Sequence, residues 1–255
     1  MTADLDFALD DLDPADLDSE QTESLLWPGD LTVLAEHTTA PYGSHSYVVA
    51  HDTSATWGVP GAPQLVAIKV ARDLTLRTFT LESQYHASLP FAQAWLIERG
   101  CPPEKIAVAE GDFAAAADEQ TLRVEQKVRD GGQRYDVLDT WTSDNDPCEN
   151  WTLAHDQAAA EHPVRVFLET VDPETRTYTV REGAFPDESA AREWLDERDG
   201  PLPQPPEDHT DADAQRTRVA LARSAGAPHA TACGLDTLPA PSASATRQPG
   251  PGRSR

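Results

Sequence analysis

The sequence predicts an α+β fold: two tandem antiparallel β-meander units, each closed by one helix, with disordered flanks at both ends. Three observations carry this expectation. First, residues 77–99 (RTFTLESQYHASLPFAQAWLIER) recur as 176–198 (RTYTVREGAFPDESAAREWLDER) at a constant offset of 99, with eight identities in 23 positions. Chance would give about one or two on ordinary residue frequencies, and an internal repeat fixes architecture before any local reading does. Second, runs rich in β-branched and aromatic residues, separated by turn residues, precede each copy. Third, net charge falls from −10 over residues 1–30 to −1 over 31–100, which marks a domain edge.

Residues 1–28 read as an acidic disordered leader. Nine acids and no Lys, Arg or His lie there, so self-repulsion opposes compaction and Pro14 interrupts any long helix. Leu5, Phe7, Leu9, Leu12 and Leu17 sit among the acids, as in a docking peptide that folds onto a basic, partly apolar groove.

The first unit and its connector span 29–118. LTVLAEHT (31–38) and SYVVAHD (46–52) read as strands around the turn residues Pro41, Tyr42 and Gly43, and LVAIKVARD (65–73) is apolar enough for a central buried strand. LRTFTLES (76–83) alternates. A helix follows, with Ser88 as its cap, Pro90 in its first turn and Gly100 as its stop. Phe91, Ala92, Trp95 and Leu96 form its apolar stripe. The connector 101–118 is expected to hold a short helix from Asp112 through the alanines.

The second unit spans 119–203. TLRVEQKVRD and RYDVLDTWTS flank Gly131-Gly132, which predicts a hairpin. NWTLAHD (150–156) echoes SYVVAHD at an offset of 104, the extra residues falling in the longer loop of the first unit. VRVFLETVD (164–172) and TRTYTVREGAF (175–185) predict a second hairpin, and Asp187 caps a helix over Ala191, Trp194 and Leu195 that ends at Gly200. Trp95 and Trp194 are expected to be equivalent core anchors. Residues 204–255, a tail rich in Pro, Ala and Ser, read as mostly disordered, with a short helix over 211–226.

Residues 164–198, three strand-like runs and a helix with the cadence FxxxxxAxxW, resemble the small DNA-binding arm domain of phage-type tyrosine integrases. The resemblance would imply a three-stranded sheet that reads DNA, covered by the helix. Here the pattern departs from that family, because residues 151–200 hold 12 acids and five bases. DNA binding is therefore not carried over, and no recombinase domain follows.

Composition narrows function. With 44 acidic and 20 basic residues the formal charge is −24, which repels phosphate backbones, so direct nucleic-acid binding is not expected. Three separated cysteines, Cys101, Cys148 and Cys233, form no CxxC and predict reduced thiols in a cytoplasmic protein. No signal peptide or membrane-spanning run is evident. Nucleotide-loop, nucleophile-elbow and zinc-protease signatures are absent, and no cofactor is expected.

Three weaker constellations remain. His51-Asp52 and His155-Asp156 recur, and could share a proton or a metal if the units met about a twofold axis; otherwise each Asp satisfies a turn. His37, His45 and His51 could converge on one sheet face. Arg77 and Arg176, in the repeated Arg-Thr-aromatic-Thr motif, could hold an anion or pair with acids across strands.

The leading functional expectation is a non-catalytic interaction or regulatory protein that binds a basic partner through the acidic leader. The alternatives are a DNA mimic that inhibits a nucleic-acid-binding protein, and a hydrolase or metal enzyme using the repeated His-Asp pairs.

Overall fold

A computed structural model describes residues 5–40, 43–54, 61–108, 114–143 and 147–206. All of them fall in one compact unit, Met1–Asp211; the tail beyond residue 206, with its expected helix over 211–226, lies outside the described residues. The fold is α+β, with four helices and two five-stranded mixed sheets among the described residues.

The elements occur twice in one order. The first repeat runs β1 (Asp13–Pro14), α1 (Leu17–Leu25), β2 (Leu31–Thr38), β3 (His45–Asp52), β4 (Leu65–Asp73), β5 (Thr78–His86) and α2 (Leu89–Glu98). The second runs β6 (Ala115–Ala116), α3 (Glu119–Arg129), β7 (Tyr135–Ser143), β8 (Glu149–Asp156), β9 (Val164–Asp172), β10 (Thr177–Phe185) and α4 (Glu188–Glu197). The sheet orders match: β1-β5-β4-β3-β2 and β6-β10-β9-β8-β7. In each, a four-stranded antiparallel meander gains one short parallel strand. The edge strands β2 and β7 both bulge at equivalent positions, Val33/Ala35 and Val137/Asp139, a device that blunts sheet edges.

Each repeat thus begins earlier than the sequence predicts. Residues 5–28, read as a disordered leader, carry β1 and α1, and Leu5, Phe7 and Leu26 are buried in the first core. The interleaved leucines outweigh the charge because they alternate between core and solvent: the acids stay wet while the apolar residues pack. Arg72 pins the segment by donating to the Phe7 and Ala8 carbonyls.

TLRVEQKVRD is likewise not a strand. Asp118 caps α3 by accepting from the Thr121 N–H at 2.8 Å. Val124 and Val128 fall one helical turn apart and pack as a pair, and Gly132, at φ +53°, lies beyond the helix end rather than in a hairpin turn. Ala115 and Ala116, expected in a helix, extend instead as β6 along β10.

The remaining elements follow the sequence closely. Ser88 stands at the α2 cap with extended backbone but makes no side-chain cap bond, and Gly100 takes the left-handed conformation just after the helix, at φ +100°. Asp187 caps α4 through the Ala190 N–H, but Arg198 rather than Gly200 supplies the left-handed stop.

The layers stack as helix, sheet, helix pair, sheet, helix. One face of the first sheet (Val48, Ile68, Val70, Phe79) packs under Leu5, Phe7 and Leu26 at the α1 end. Its other face (Tyr47, Val49, Ala67) packs under Ala92, Trp95 and Leu96 of α2. The opposite side of α2, Phe91 and Ala94, meets Val124 and Val128 of α3 and Ala154, Phe167 and Val180 of the second sheet. Leu153, Val166 and Phe185 pack on the far face with Ala191 of α4. The two repeats therefore share a core, and α2 is its centre.

Candidate functional site: the seam between the repeats

The His-Asp pairs are strand ends. Asp52 accepts from the Ser54 N–H and hydroxyl and from the Tyr85 hydroxyl at 2.7 Å, while His51 Nε2 meets Gln64 Oε1 at 3.0 Å. Asp156 accepts the Ala158 N–H and a two-pronged Arg134 guanidinium, 2.7 Å on each prong. By strand alternation His51 shares the α2 face of its sheet with Val49, and His155 shares the α4 face with Leu153. The second sheet stands between them, so the pairs do not meet. Among the described residues no group of three or more His, Cys, Asp or Glu is placed to hold a metal ion.

His37 and His45 do share a sheet face. They flank Tyr47 in a near-parallel row, each ring centroid 6.3 Å from it, and Trp141 and Trp151 form the matching stacked pair in the second repeat at 6.4 Å. His51 lies on the same face by strand alternation but outside that row, with its Nε2 held by Gln64. Arg77 and Arg176 sit at equivalent hairpin ends with φ of 56° and 54°. The Arg77 guanidinium donates to the Asp11 carbonyl, so it ties the leader segment to the sheet.

Sequence reasoning missed the seam. A pocket of about 220 Å³ opens between α2 on one side and the α3 end and β7 on the other. His86, Phe91, Trp95 and Tyr135 line it, with Val128 and Val137 beside them; Glu98, Arg99 and Asp136 also border it. Trp95 is 8% exposed and His86 3%. His86 Nε2, Trp95 Nε1 and the Tyr135 hydroxyl are buried with no hydrogen-bond partner among the described residues. Each such group costs about 1–3 kcal/mol relative to a paired one. Burial, and then the Arg99 charge, push the His86 imidazole down to about 4, so it is neutral at physiological pH. Burial and the nearby Glu182 carboxylate raise the Tyr135 phenol.

Close to Tyr135 an ionic network runs through the second repeat. Arg165 and Asp156 are fully buried and 3.2 Å apart, Arg134 completes the Asp156 pairing, and Lys127 of α3 reaches Glu182 at 2.6 Å. Burial opposes ionisation of Asp156, but the Arg134 bonds outweigh it and hold the carboxyl below its usual range. At the equivalent places the first repeat has Asp52, which accepts from Tyr85, and the apolar Val66, so the buried Arg165–Asp156 pair is particular to the second repeat.

Cys101 is a buried free thiol pushed up to about 11, chiefly by burial, which makes it a poor nucleophile. Cys148 is partly buried, and Cys233 lies outside the described residues. No helix among the described residues is long and apolar enough to cross a membrane.

One sequence signal could have found the seam. α2 (LPFAQAWLIE) is apolar nearly all round whereas α4 (ESAAREWLDE) has a polar side, and a helix apolar all round must be covered on both sides. No known protein family, curated protein or solved structure matches the chain.

Proposed function

We propose that this chain is a non-catalytic interaction protein that engages a basic partner through α1. The observation that carries the reading is the outer side of that helix. Leu17, Leu25 and Trp27 are 72%, 81% and 71% exposed, and Asp18, Glu20 and Glu23 are exposed between them. None of those three acids forms an ion pair among the described residues. Large apolar side chains left in water beside unneutralised carboxylates fit a partner surface that is basic at its rim and apolar at its centre. The leader supplies this surface from a folded helix, while its Leu5 and Phe7 are spent on the core. The net charge of −24 favours a cationic protein over a nucleic acid. The hydrolase or metal-enzyme alternative would need His51 and His155 in one pocket, and by strand alternation they lie on separate layers.

Affinity capture with the full chain tests this. Basic proteins should be retained at low salt by the parent and released by a Leu17→Ser, Leu25→Ser, Trp27→Ser triple variant, which leaves the core untouched. Equal capture by parent and variant would refute the α1 surface. A captured nucleic-acid-binding protein whose DNA site is blocked would support the DNA-mimic reading instead.

A further inference from the structure

The wall of the seam pocket contains two buried polar groups that nothing in the described protein satisfies, His86 Nε2 and Trp95 Nε1. Where packing alone matters, an apolar ring of similar shape would fill either place without that penalty. The two rings meet edge to face with centroids 6.5 Å apart, so one ligand lying against both would be offered both nitrogens. Their chemistry is complementary. An indole N–H only donates, whereas a neutral imidazole protonated on Nδ1 presents Nε2 as an acceptor.

We infer that the seam pocket binds an uncharged planar lactam of the nucleobase kind, whose carbonyl accepts from Trp95 Nε1–H and whose adjacent N–H donates to His86 Nε2. Phe91 and Tyr135 supply apolar ring surface for the ligand to pack against. The volume, about 220 Å³, falls below the roughly 300–1,000 Å³ of sites for drug-sized molecules, which limits the ligand to one or two rings. Glu98 and Asp136 at the border, on a chain of net charge −24, select against a phosphorylated form. The ligand is thus a base or nucleoside, not a nucleotide. Both polar atoms are sealed from solvent in this structure, so binding requires the pocket lining to open. Arg99, whose guanidinium stands 3.7 Å over the Trp95 ring at the pocket border, is the side chain whose displacement would admit the ligand. This site is independent of α1 and of the interaction reading.

The test is a titration of the ¹⁵N-labelled full chain with uridine, following the indole N–H resonances, that of Trp95 being identified with a Trp95→Phe sample. Uridine should move the Trp95 signal downfield and saturate at about millimolar concentration or below. Uridine 5′-phosphate should need at least about tenfold more, because the pocket border and the whole chain repel it. Val137→Trp, which fills the pocket mouth from an exposed strand position, should abolish the shift. Leu138→Trp, the next residue and outside the lining, should leave it intact. No uridine-induced movement of the Trp95 signal, or movement that survives Val137→Trp, overturns the proposal. Movement with benzylamine and not with uridine also overturns it, and makes the pocket an organic-cation site.

Discussion

Ser19 and Thr121 occupy the same place in the two repeats. Each hydroxyl accepts a backbone N–H from the last strand of its meander, Leu81 at 3.1 Å and Val180 at 3.2 Å. The short parallel strands β1 and β6 pair with those same strands, and where the chain turns into a helix the hydroxyl takes over the ladder. Asp16 and Asp118, three residues earlier, cap the two helices identically. Helix start and sheet edge are thereby joined by one side chain.

Ser19→Ala and Thr121→Val should each destabilise the protein by about 1–3 kcal/mol, since each leaves a buried strand N–H unpaired. Thr121→Ser should recover most of the loss. The two effects should add, because the sites share no partner. Urea midpoints of the single and double variants check this.

The repeated tryptophans should not behave alike. Trp95 lies in the shared core under a cation–π contact with Arg99, whereas Trp194 is only partly buried on the terminal helix. Trp95→Ala should cost about 3–5 kcal/mol, as other large-to-small core changes do. Trp194→Ala should cost no more than about 2 kcal/mol by the area it buries. Thermal unfolding of both variants distinguishes this from the equality that the sequence repeat suggests.

Unfolding should be a single transition, because Phe91 and Ala94 of the first repeat are core residues of the second. A fragment ending at residue 108 leaves that side of α2 bare and should aggregate when made alone. Co-expressed with residues 109–255 it should co-purify as a complex. Size-exclusion chromatography of the two preparations gives the answer.

Two buried groups with opposite shifts should leave stability nearly flat between about pH 4.5 and 6.5, where their effects oppose each other, and lower it on either side. His86 is lowered to about 4 from 6.5, so the unfolded chain binds the proton more tightly, and stability drops as pH falls from about 6.5 to 4. Glu169 is raised to about 7 from 4.5, by burial first and then by the Glu125 charge, against its Asn150 hydrogen bond. Here the folded chain holds the proton more tightly, so stability drops as pH rises from about 4.5 to 7. His86→Phe should leave urea midpoints that fall as pH rises from about 4.5 to 7, and Glu169→Gln midpoints that rise from about pH 4 to 6.5.

Much of the architecture was legible in residue order. All eight meander strands, both meander-closing helices and the repeat itself follow from alternation, caps and the copied Arg-Thr-aromatic-Thr stretch, all of which are local. Local signals failed where two periods compete over one short run. Thr121, Val124 and Val128 carry β-branched character and helical spacing together, and packing against Phe91 and Ala94 decided for the helix. They failed again in the leader, where composition measures repulsion but not the pairing of Leu5, Phe7 and Leu26 with strand residues 20 or more positions away. The seam pocket was the least legible feature. His86, Trp95, Tyr135 and Asp136 come from both repeats, and no spacing along the chain brings them together. What the sequence by itself determined is the repeated unit, because the pattern of each unit reports its own faces. Only the tertiary structure decided which faces meet, because the free energy of burying α2 on both sides belongs to the contact between repeats and not to either repeat alone.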